Sequence, residues 1–534
     1  MRTLSQVIQK NASQQPEGLA FAAGSHRLSW AEYAGRSDAL AGLLLDLGLA
    51  PGERVAVLLP DGPGVHVAFV ATEKAGLVAV GIGPRAGRKE VEHLLRVTGA
   101  TALISRPTYR EFDMNGLAPA LRATGTPLRH HVTIDGELEP GDTVTVDGAA
   151  AVLPDSAAND ATLLRRIDER RLGEDDLWLI NSTSGTTGMP KCVMHHQARW
   201  FFFHDLAVRS GDLSTHDVFL SAVPAPFGFG LWTAHFSPAL LGAPTIVMPR
   251  FTAKDTLAAI EEHRVTVLAA VSTQFMMLLD SPEADRRDLS HLRALFTGGE
   301  KVPYARAAEF EERTGASVLQ FYGSNETGAL CGTTTRDSRE KRLTTAGRVL
   351  EEMQVRLFDE AGNDITDEGR GQPGCKGGTL SLGYFDDKEA NRELIRDDGW
   401  FLVGDIVCID EEGYLTVEGR VGDFIIRGGK NISAPSVEEA VESHPNVRVA
   451  AAVAMPDPTF GERVCVYVEL RSTTELTLEG LVSHLKAAGS SKESLPERLV
   501  VLEELPRSSG GKIAKKVLRD DAAKRAVDGP SPLR

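Results

Sequence analysis

The chain has 534 residues, more than one hydrophobic core accommodates, which predicts about two to four domains. Its composition, 42% hydrophobic and 25% charged, is that of a globular protein and excludes pervasive low-complexity disorder. The 58 basic and 74 acidic residues give a formal net charge of -16, which argues against nucleic acid as a partner and is otherwise typical of a soluble protein.

Strand and helix patterns alternate through the first part of the chain and return after residue 240. The predicted helices are residues 40–49, 65–75 and 256–263, and the predicted strands are residues 55–59, 244–248 and 265–271. Such an alternation predicts a mostly parallel sheet covered by helices. We find no internal repeat.

After Gly347 the pattern changes to short strands separated by glycine-containing turns. The strands are predicted at 355–359, 407–410 and 414–417, followed by a helix at 436–443 and strands at 449–455 and 464–470. We therefore expect an α/β protein with a large N-terminal domain of layered sheets and helices, residues 1–419, that ends in a small β-rich unit at about 348–419. Residues 420–534 would form a mobile C-terminal α+β lid, with a disordered tail after about residue 526.

Cysteine usage and the lack of long apolar runs predict the compartment. Five scattered cysteines without a CxxC pair argue against disulfides and thiolate metal sites, and we expect each to be a small buried or half-buried residue: Cys192, Cys331, Cys375, Cys408 and Cys465. The N-terminus shows no signal-peptide pattern, and no apolar run reaches the roughly 18–20 residues of a membrane helix. We expect a cytoplasmic protein without membrane insertion, and a homodimer is left open.

The stretch Ser182-Thr-Ser-Gly-Thr-Thr-Gly-Met-Pro-Lys191 combines five hydroxyl residues, two glycines and a lysine after a strand-like run. Glycines admit backbone N–H groups to an anion, hydroxyls add donors and lysine adds positive charge, so the composition predicts a phosphate-binding loop. The spacing of Gly185, Gly188 and Lys191 does not fit the Walker A pattern GxxxxGK[ST]. From composition alone, a polar surface loop is the alternative.

This loop resembles the signature loop of the adenylate-forming superfamily: acyl- and aryl-CoA synthetases, peptide-synthetase adenylation domains and luciferases. Four more segments resemble that superfamily's motifs in the expected order. They are the second core motif Phe321-Tyr-Gly-Ser-Asn-Glu-Thr-Gly328, the ribose motif Gly404-Asp405-Ile, the hinge motif at 419–429 and the C-terminal lysine loop at 505–513. Five motifs in order argue strongly against a chance match.

The resemblance implies a site for ATP and Mg²⁺. Glu326 and Thr183 are the implied metal ligands, and Thr327 would contact phosphate as a catalytic residue together with Glu326. The implied ATP- and AMP-binding residues are Thr183, Ser184, Gly185, Thr186, Thr187, Lys191, Gly298, Gly299, Glu300, Tyr322, Gly323, Ser324, Asn325, Thr327, Asp405 and Arg420. Glutamate suits Mg²⁺ because it is a hard oxygen donor, and the Asp405 carboxylate suits ribose because it accepts two hydrogen bonds.

Lys512 is the main catalytic candidate that the resemblance implies. An ammonium between the α-phosphate and the attacking carboxylate would stabilise charge that develops in the transition state, and the polar loop around it suits a mobile element. The alternative is an exposed lysine of a basic tail. After adenylation, lid rotation about Gly422 would bring Arg427, Gly428 and Gly429 to line a tunnel for CoA.

Three positions depart from the superfamily pattern. Gly422 replaces the usual Asp or Lys of the hinge, Cys192 replaces a common glycine after Lys191, and Ser436 replaces a common Glu at the start of the hinge helix. Glycine accepts almost any backbone dihedral, so rotation at 422 remains feasible. Cys192 and Ser436 do not touch the implied chemistry, whereas Gly422 would affect the resting equilibrium of the hinge.

The acid is predicted from the segment Pro224-Ala-Pro-Phe-Gly-Phe-Gly-Leu-Trp232, which is similar to that of benzoate- and aminobenzoate-type CoA ligases. Aromatic side chains favour a flat ring and glycines admit it, so we expect an aromatic acid, including hydroxylated or bicyclic ones. The pocket would comprise Phe227, Phe229, Gly230, Trp232, Gly298 and Gly323. The alternative is that the three aromatic residues are ordinary core.

The resulting prediction is an ATP-dependent, AMP-forming carboxylic acid:CoA ligase. Alternatives within the class are an enzyme that loads a carrier protein, a fatty or alicyclic acid CoA ligase and a luciferase-type oxygenase. Outside it stand a nucleotide-binding regulator that releases no pyrophosphate, which the presence of Lys512 argues against, and a kinase, which would yield ADP instead of AMP.

Overall fold

The computed structural model describes residues 3–109, 112–154, 160–182, 189–299, 302–420, 424–427, 430–471, 476–488, 490–507 and 513–527. The chain forms two compact units. Among the described residues, the first comprises those of 1–182, 189–354 and 375–401, and the second comprises those of 355–374 and 402–534. The domain boundary near residue 420 stays a prediction.

The first unit alternates helices and strands. Its helices are α1 (Leu4–Gln14), α2 (Trp30–Asp46), α3 (Pro63–Lys74), α4 (Arg88–Thr98), α5 (Met114–Ala123), α6 (Ala161–Arg170), α7 (Ala198–Gly211), α8 (Gly228–Gly230), α9 (Ser237–Leu241), α10 (Ala253–Glu262), α11 (Ser272–Leu279), α12 (Tyr304–Thr314), α13 (Arg339–Thr344) and α14 (Lys388–Leu394). Its strands are β1 (Leu19–Ala23), β2 (His26–Ser29), β3 (Arg54–Leu58), β4 (Val78–Gly81), β5 (Ala102–Ser105), β6 (Thr108–Tyr109), β7 (Phe112–Asp113), β8 (His130–Thr133), β9 (Thr143–Val146), β10 (Ala149–Val152), β11 (Leu179–Ser182), β12 (Cys192–His195), β13 (Phe219–Ser221), β14 (Thr245–Ile246), β15 (Val267–Ala269), β16 (Ala294–Gly298), β17 (Ser317–Ser324), β18 (Gly328–Gly332) and β19 (Arg348–Val349).

Two large sheets form the body of the first unit. One has the strand order β19-β18-β17-β16-β15-β13-β14-β1-β2 and the other the order β10-β9-β8-β5-β3-β4-β11-β12. The central strands of both are parallel, and the pairs at the edges are antiparallel. Strands such as β5 and β11 are buried along their whole length, as expected for parallel strands covered on both faces. The prediction of a mostly parallel sheet with helices is confirmed.

The second unit is richer in antiparallel sheet. Its elements, some of which extend into the first unit by a few residues, are β20 (Met353–Phe358), β21 (Arg370–Gly377), β22 (Phe401–Leu402), β23 (Asp405–Ile409), β24 (Leu415–Arg420), β25 (Phe424–Arg427), β26 (Lys430–Ser433), α15 (Ala434–Glu442), β27 (Val447–Asp457), β28 (Gly461–Leu470), α16 (Leu478–Ala487), β29 (Arg498–Val501) and α17 (Lys515–Val527). One sheet runs β20-β21-β23-β24, with β22 beside β21. The other runs β26-β25-β28-β27, with β29 beside β28.

Most predicted elements are present with bounds shifted by one to three residues, but the first helix is wrong at its start. The prediction placed it at 40–49, whereas α2 begins at Trp30 and ends at Asp46. Ser29 caps it, since its side chain accepts a hydrogen bond from the Glu32 backbone N–H while Glu32 bonds back to Ser29. Arg36 and Asp38 are buried on this helix and interrupt the apolar period from which the start was predicted.

The cysteines are placed as expected, with Cys408 half-buried and the other four buried. Burial raises the pKa of the Cys192 thiol to about 12, so this residue behaves as a small apolar group. Within the described part of the chain, no helix combines the length and the apolar character that a membrane span needs.

Candidate active site

The signature loop follows β11 and precedes β12. These strands pair in antiparallel register, with Leu179 opposite His195 and Ser182 opposite Cys192, so both ends of the loop are fixed to the sheet. Five predicted phosphate-binding residues lie outside the described residues: Thr183, Ser184, Gly185, Thr186 and Thr187. Lys191 is described. Its Nζ lies 3.9 Å from Glu393 Oε2 and 5.0 Å from the ring centre of Tyr384.

The second core motif forms a tight turn between β17 and β18. The Ser324 hydroxyl accepts hydrogen bonds from the backbone N–H groups of Glu326, at 3.2 Å, and Thr327, at 3.1 Å. Gly323 permits the close approach of the two strands, since a Cβ there would lie 1.7 Å from the Gly328 carbonyl oxygen. Thr327 is buried, and its hydroxyl lies 3.1 Å from that of Ser324. The turn is thus held from within, and Glu326 is at its tip.

The Glu326 carboxylate is oriented by Tyr384, whose hydroxyl donates to Oε1 over 2.7 Å. Burial, and after it the negative charge of Glu326, raises the pKa of Tyr384 above its ordinary value, so the phenol remains a donor at physiological pH. Nothing in the described chain hydrogen-bonds to Oε2, which therefore remains a candidate ligand atom. Mg²⁺ commonly takes one or two carboxylates and completes its shell with water and phosphate, so this single carboxylate fits that metal. The described residues contain no cluster of three or more His, Cys, Asp or Glu side chains that would hold a metal alone.

The remaining nucleotide residues predicted in the first unit lie on neighbouring strands. Gly298 ends β16 and stands opposite Phe321 in the parallel pairing with β17. Gly299 follows with a φ of +83°, a conformation that favours glycine, and Tyr322 is half-buried in β17. Glu300 lies outside the described residues. Gly298 and Tyr322 therefore both lie near the carboxyl ends of two adjacent parallel strands.

The predicted acid-binding segment passes through α8 into a π-helix, Leu231–Phe236. Trp232 is buried, its indole N–H donates to the Phe203 carbonyl over 2.7 Å, and its ring meets that of Phe321 edge-on at 4.7 Å. These contacts are those of a core residue. Phe227 and Phe229 are half-buried, and Gly230 is needed for packing, since a Cβ there would lie 2.2 Å from the Pro224 carbonyl oxygen.

In the second unit, Asp405 and Arg420 are directly opposite each other in the antiparallel pair of β23 and β24. Asp405 is buried, and the two residues predicted to share the ribose are neighbours in space although fifteen positions apart in sequence. Arg427 binds both oxygens of Glu497, at 3.1 and 2.9 Å, and lies 4.3 Å from the ring centre of Phe460.

Several predicted residues of the second unit lie outside the described residues: Gly422, Gly428, Gly429 and Lys512. The loop that carries Lys512 is closed at its base, because Arg507 and Ile513 form an antiparallel bridge and the Ala514 N–H donates to the Pro506 carbonyl over 2.7 Å. Ser436 lies in the first turn of α15, where its N–H donates to the capping Ser433 hydroxyl.

Two residues beside Glu326 were not singled out from the sequence. Tyr384 lies 58 positions away from Glu326, and Arg199 is fully buried on α7. Burial lowers the pKa of Arg199 to about 9, while the Glu326 charge acts in the opposite direction, so the guanidinium remains a cation at neutral pH. An arginine followed by Trp200 and three phenylalanines was the available signal, since a charge beside aromatic residues that pack into a core requires partners.

The first unit is a two-sheet α/β unit with a polar turn that carries one oriented carboxylate, and the second unit pairs the strand of Asp405 with that of Arg420. Residues 8–385 match the family model described as AMP-binding enzyme, and residues 436–512 match the model described as AMP-binding enzyme C-terminal domain. The chain belongs to the AMP-binding enzyme family.

Individual relatives cover nearly the whole chain. It is 30% identical over 529 residues to the medium-chain fatty-acid–CoA ligase of Escherichia coli, covering 98% of this chain and 91% of that protein. It is 32% identical over 528 residues to the salicyl-AMP ligase / salicyl-S-ArCP synthetase of Mycobacterium tuberculosis, covering 97% and 90%. The o-succinylbenzoate CoA synthetase of Bacillus subtilis, solved in complex with its acyl-adenylate intermediate, has a TM-score of 0.80 at 25% identity over 96% of this chain and 98% of that one. The predicted superfamily, fold class and enzyme class are confirmed.

Proposed function

We propose that the protein is an AMP-forming ligase that activates a carboxylic acid as its acyl-adenylate and transfers the acyl group to the thiol of CoA. The match of both family models along one chain is the observation that carries this proposal. The turn at 324–327 and the Asp405–Arg420 pair support it with side chains suited to a metal-bound triphosphate and to a ribose.

In the first step, the substrate carboxylate attacks the α-phosphorus of ATP, and pyrophosphate leaves. Lys191 and Lys512 place positive charge beside the phosphates, and Lys512 stabilises charge that develops on the pentacovalent phosphorus. Glu326, held by Tyr384, would be the protein ligand of Mg²⁺, together with Thr183. The metal supplies charge neutralisation of the phosphates when bound.

In the second step, the thiol attacks the carbonyl carbon of the mixed anhydride, and AMP leaves with the bridging oxygen. No protein nucleophile is required, because the adenylate is already activated. The Asp405 carboxylate accepts hydrogen bonds from the ribose hydroxyls, with Arg420 beside it, and retains the nucleotide through both steps. Gly422, Arg427, Gly428 and Gly429 belong to the hinge and thiol tunnel in this proposal.

For the acid, we infer an aromatic ring held between Phe227 and Phe229, which are half-buried, unlike the fully buried Trp232. The salicyl- and o-succinylbenzoate-activating relatives are aryl-acid enzymes by name, whereas the fatty-acid relative supports the alternative of an acyl chain. A carrier protein is the second candidate acceptor, since the name of the mycobacterial relative includes such a transfer. A cytoplasmic location and a homodimer stay predictions.

The proposal is tested by measuring pyrophosphate release over a panel of aromatic, alicyclic and fatty acids, with and without CoA. We expect acid-dependent release for aryl acids, and acyl-CoA and AMP as products when CoA is added. Preference for fatty acids would refute the aromatic pocket while leaving the class intact. ADP as the product, or no acid-dependent release at all, would refute the class.

A further inference from the structure

A pair of side-chain amides joins the strand before the signature loop to the turn that carries Glu326. Asn325 donates from Nδ2 to Asn181 Oδ1 over 2.6 Å, and Asn181 donates from Nδ2 to Asn325 Oδ1 over 3.3 Å. Asn181 is buried, and it is the penultimate residue of β11. The two amides therefore bond to each other reciprocally across 144 positions of sequence.

The same amide pair reaches the acid-binding segment. Asn181 Nδ2 also donates to the Pro226 carbonyl over 2.8 Å. A Cβ at Gly228 would lie 2.9 Å from Asn325 Oδ1, so the segment packs directly against the Asn325 amide. One residue, Asn181, thus bonds simultaneously to the turn and to the segment in which Phe227 and Phe229 lie.

His195 and Arg199 extend this hydrogen-bond network, and their contacts determine which ring nitrogen of His195 carries the proton. His195 Nε2 lies 2.8 Å from Asn181 Oδ1, an oxygen that can only accept, so Nε2 carries the proton. His195 Nδ1 then accepts from Arg199 Nη1 over 2.5 Å, and the same Nη1 donates to the Asn325 carbonyl over 3.1 Å. The exposed fraction of His195 and of Arg199 is at most 1%, so rotation of either side chain away from these partners would leave polar groups unpaired in the core.

We propose that Asn181, His195 and Arg199 are positioning residues that set the acid-binding segment against the Glu326 turn, and thereby determine which acids align with the α-phosphate. None of the three needs to touch a substrate for this role. The inference rests on the proposed adenylation function. It predicts that disturbing these residues changes the use of the acid much more than the binding of the nucleotide.

A matched pair of substitutions at His195 tests this. In H195Q the new amide can donate to Asn181 and accept from Arg199, as the imidazole does, whereas the leucine of H195L can do neither. Acid-dependent ATP–pyrophosphate exchange measures the first step alone. We expect H195L to raise KM for the acid about tenfold or more, with KM for ATP changed less than about twofold, and H195Q to reverse most of that rise.

Loss of folded protein lowers the apparent kcat and leaves both KM values unchanged. A rise in KM for the acid without a rise in KM for ATP therefore distinguishes a positioning role from partial unfolding. An equal rise in both KM values, or equal loss in H195Q and H195L, would overturn the inference. A double-mutant cycle of N181A and N325A, measured on purified and folded variants by the same exchange assay, provides a second test. Reciprocal bonding predicts that the double variant is about as impaired as the worse single one, and simple additivity would refute the pairing.

Measurements on the wild-type protein distinguish failure of this inference from failure of the proposed adenylation function on which it rests. Absence of pyrophosphate exchange with every acid refutes the proposed function. Exchange in the wild type without a split in the variants refutes the positioning role alone. The kcat/KM ratio for two acids of different ring size adds a direct measure of specificity, which we expect to change in H195L and to be retained in H195Q.

Discussion

The hydrogen bond from Tyr384 to Glu326 makes a quantitative prediction about magnesium. Tyr384→Phe removes one donor, 2.7 Å from Oε1, and leaves the ring in place. A hydrogen bond to a charged group contributes roughly 1.5–3 kcal/mol, and we take the lower value because Tyr384 is only half-buried. Since about 1.4 kcal/mol corresponds to a factor of ten, the Mg²⁺ concentration for half-maximal pyrophosphate release should rise about tenfold.

The assay is a magnesium titration of acid-dependent pyrophosphate release, repeated as calorimetric binding of ATP at each magnesium concentration. Tyr467→Phe is the matched control, because that hydroxyl donates over the same 2.7 Å to Asp521 in the second unit. The control should leave the magnesium dependence unchanged. An unchanged magnesium requirement in Tyr384→Phe would show that the tyrosine does not orient the ligand and would refute the reasoning.

Three further predictions concern the lysine loop, a buried ion pair and a buried carboxyl. Lys512→Ala should lower the rate of adenylation by about 10²–10³ while largely sparing thioester formation from a supplied acyl-adenylate, and equal loss in both half-reactions would contradict the proposed role. Asp38→Ala leaves Lys74 without the carboxylate that it contacts at 2.7 Å in the core, so the free energy of unfolding in urea should fall by about 3–5 kcal/mol, and a loss below about 1 kcal/mol would contradict this. Burial raises the pKa of Asp61 to about 7 although the Ala225 N–H bonds to its carboxylate, so the folded state retains this proton longer than the unfolded state between about pH 4 and 7. Stability from this group is therefore present at low pH and lost as pH rises to 7, and the stability of Asp61→Asn relative to wild type should increase over that window, whereas a pH-independent difference would contradict it.

The sequence predicts the parallel sheets well because their strands are short apolar runs between helical periods, as in β3 and β15. It fails at the start of α2 for a physical reason. The buried Arg36 and Asp38 interrupt the apolar pattern there, and Asp38 is retained in the core by its ion pair with Lys74. A local hydrophobic period cannot predict the burial of polar residues whose hydrogen-bond or ion-pair partners lie far away in the sequence.

The geometry of the turn at 324–327 follows from contiguous sequence, because the Ser324 hydroxyl bonds within the turn and Gly323 and Gly328 flank it. The strands that carry Asp405 and Arg420 pair directly, so the two positions stand opposite each other, while their shared role at the ribose stays a prediction. Tyr384, His195 and Arg199 could not be placed from one sequence. Their contacts depend on how separate strands and helices pack.

The central claim is that the substrate carboxylate attacks the α-phosphorus of ATP. A carboxylic acid labelled with ¹⁸O in both carboxylate oxygens tests it, with AMP isolated after one turnover and examined by mass spectrometry. The proposed chemistry transfers one ¹⁸O to AMP, because the bridging oxygen of the adenylate departs with the phosphorus. Unlabelled AMP, or label in inorganic phosphate with ADP as the nucleotide product, would contradict it.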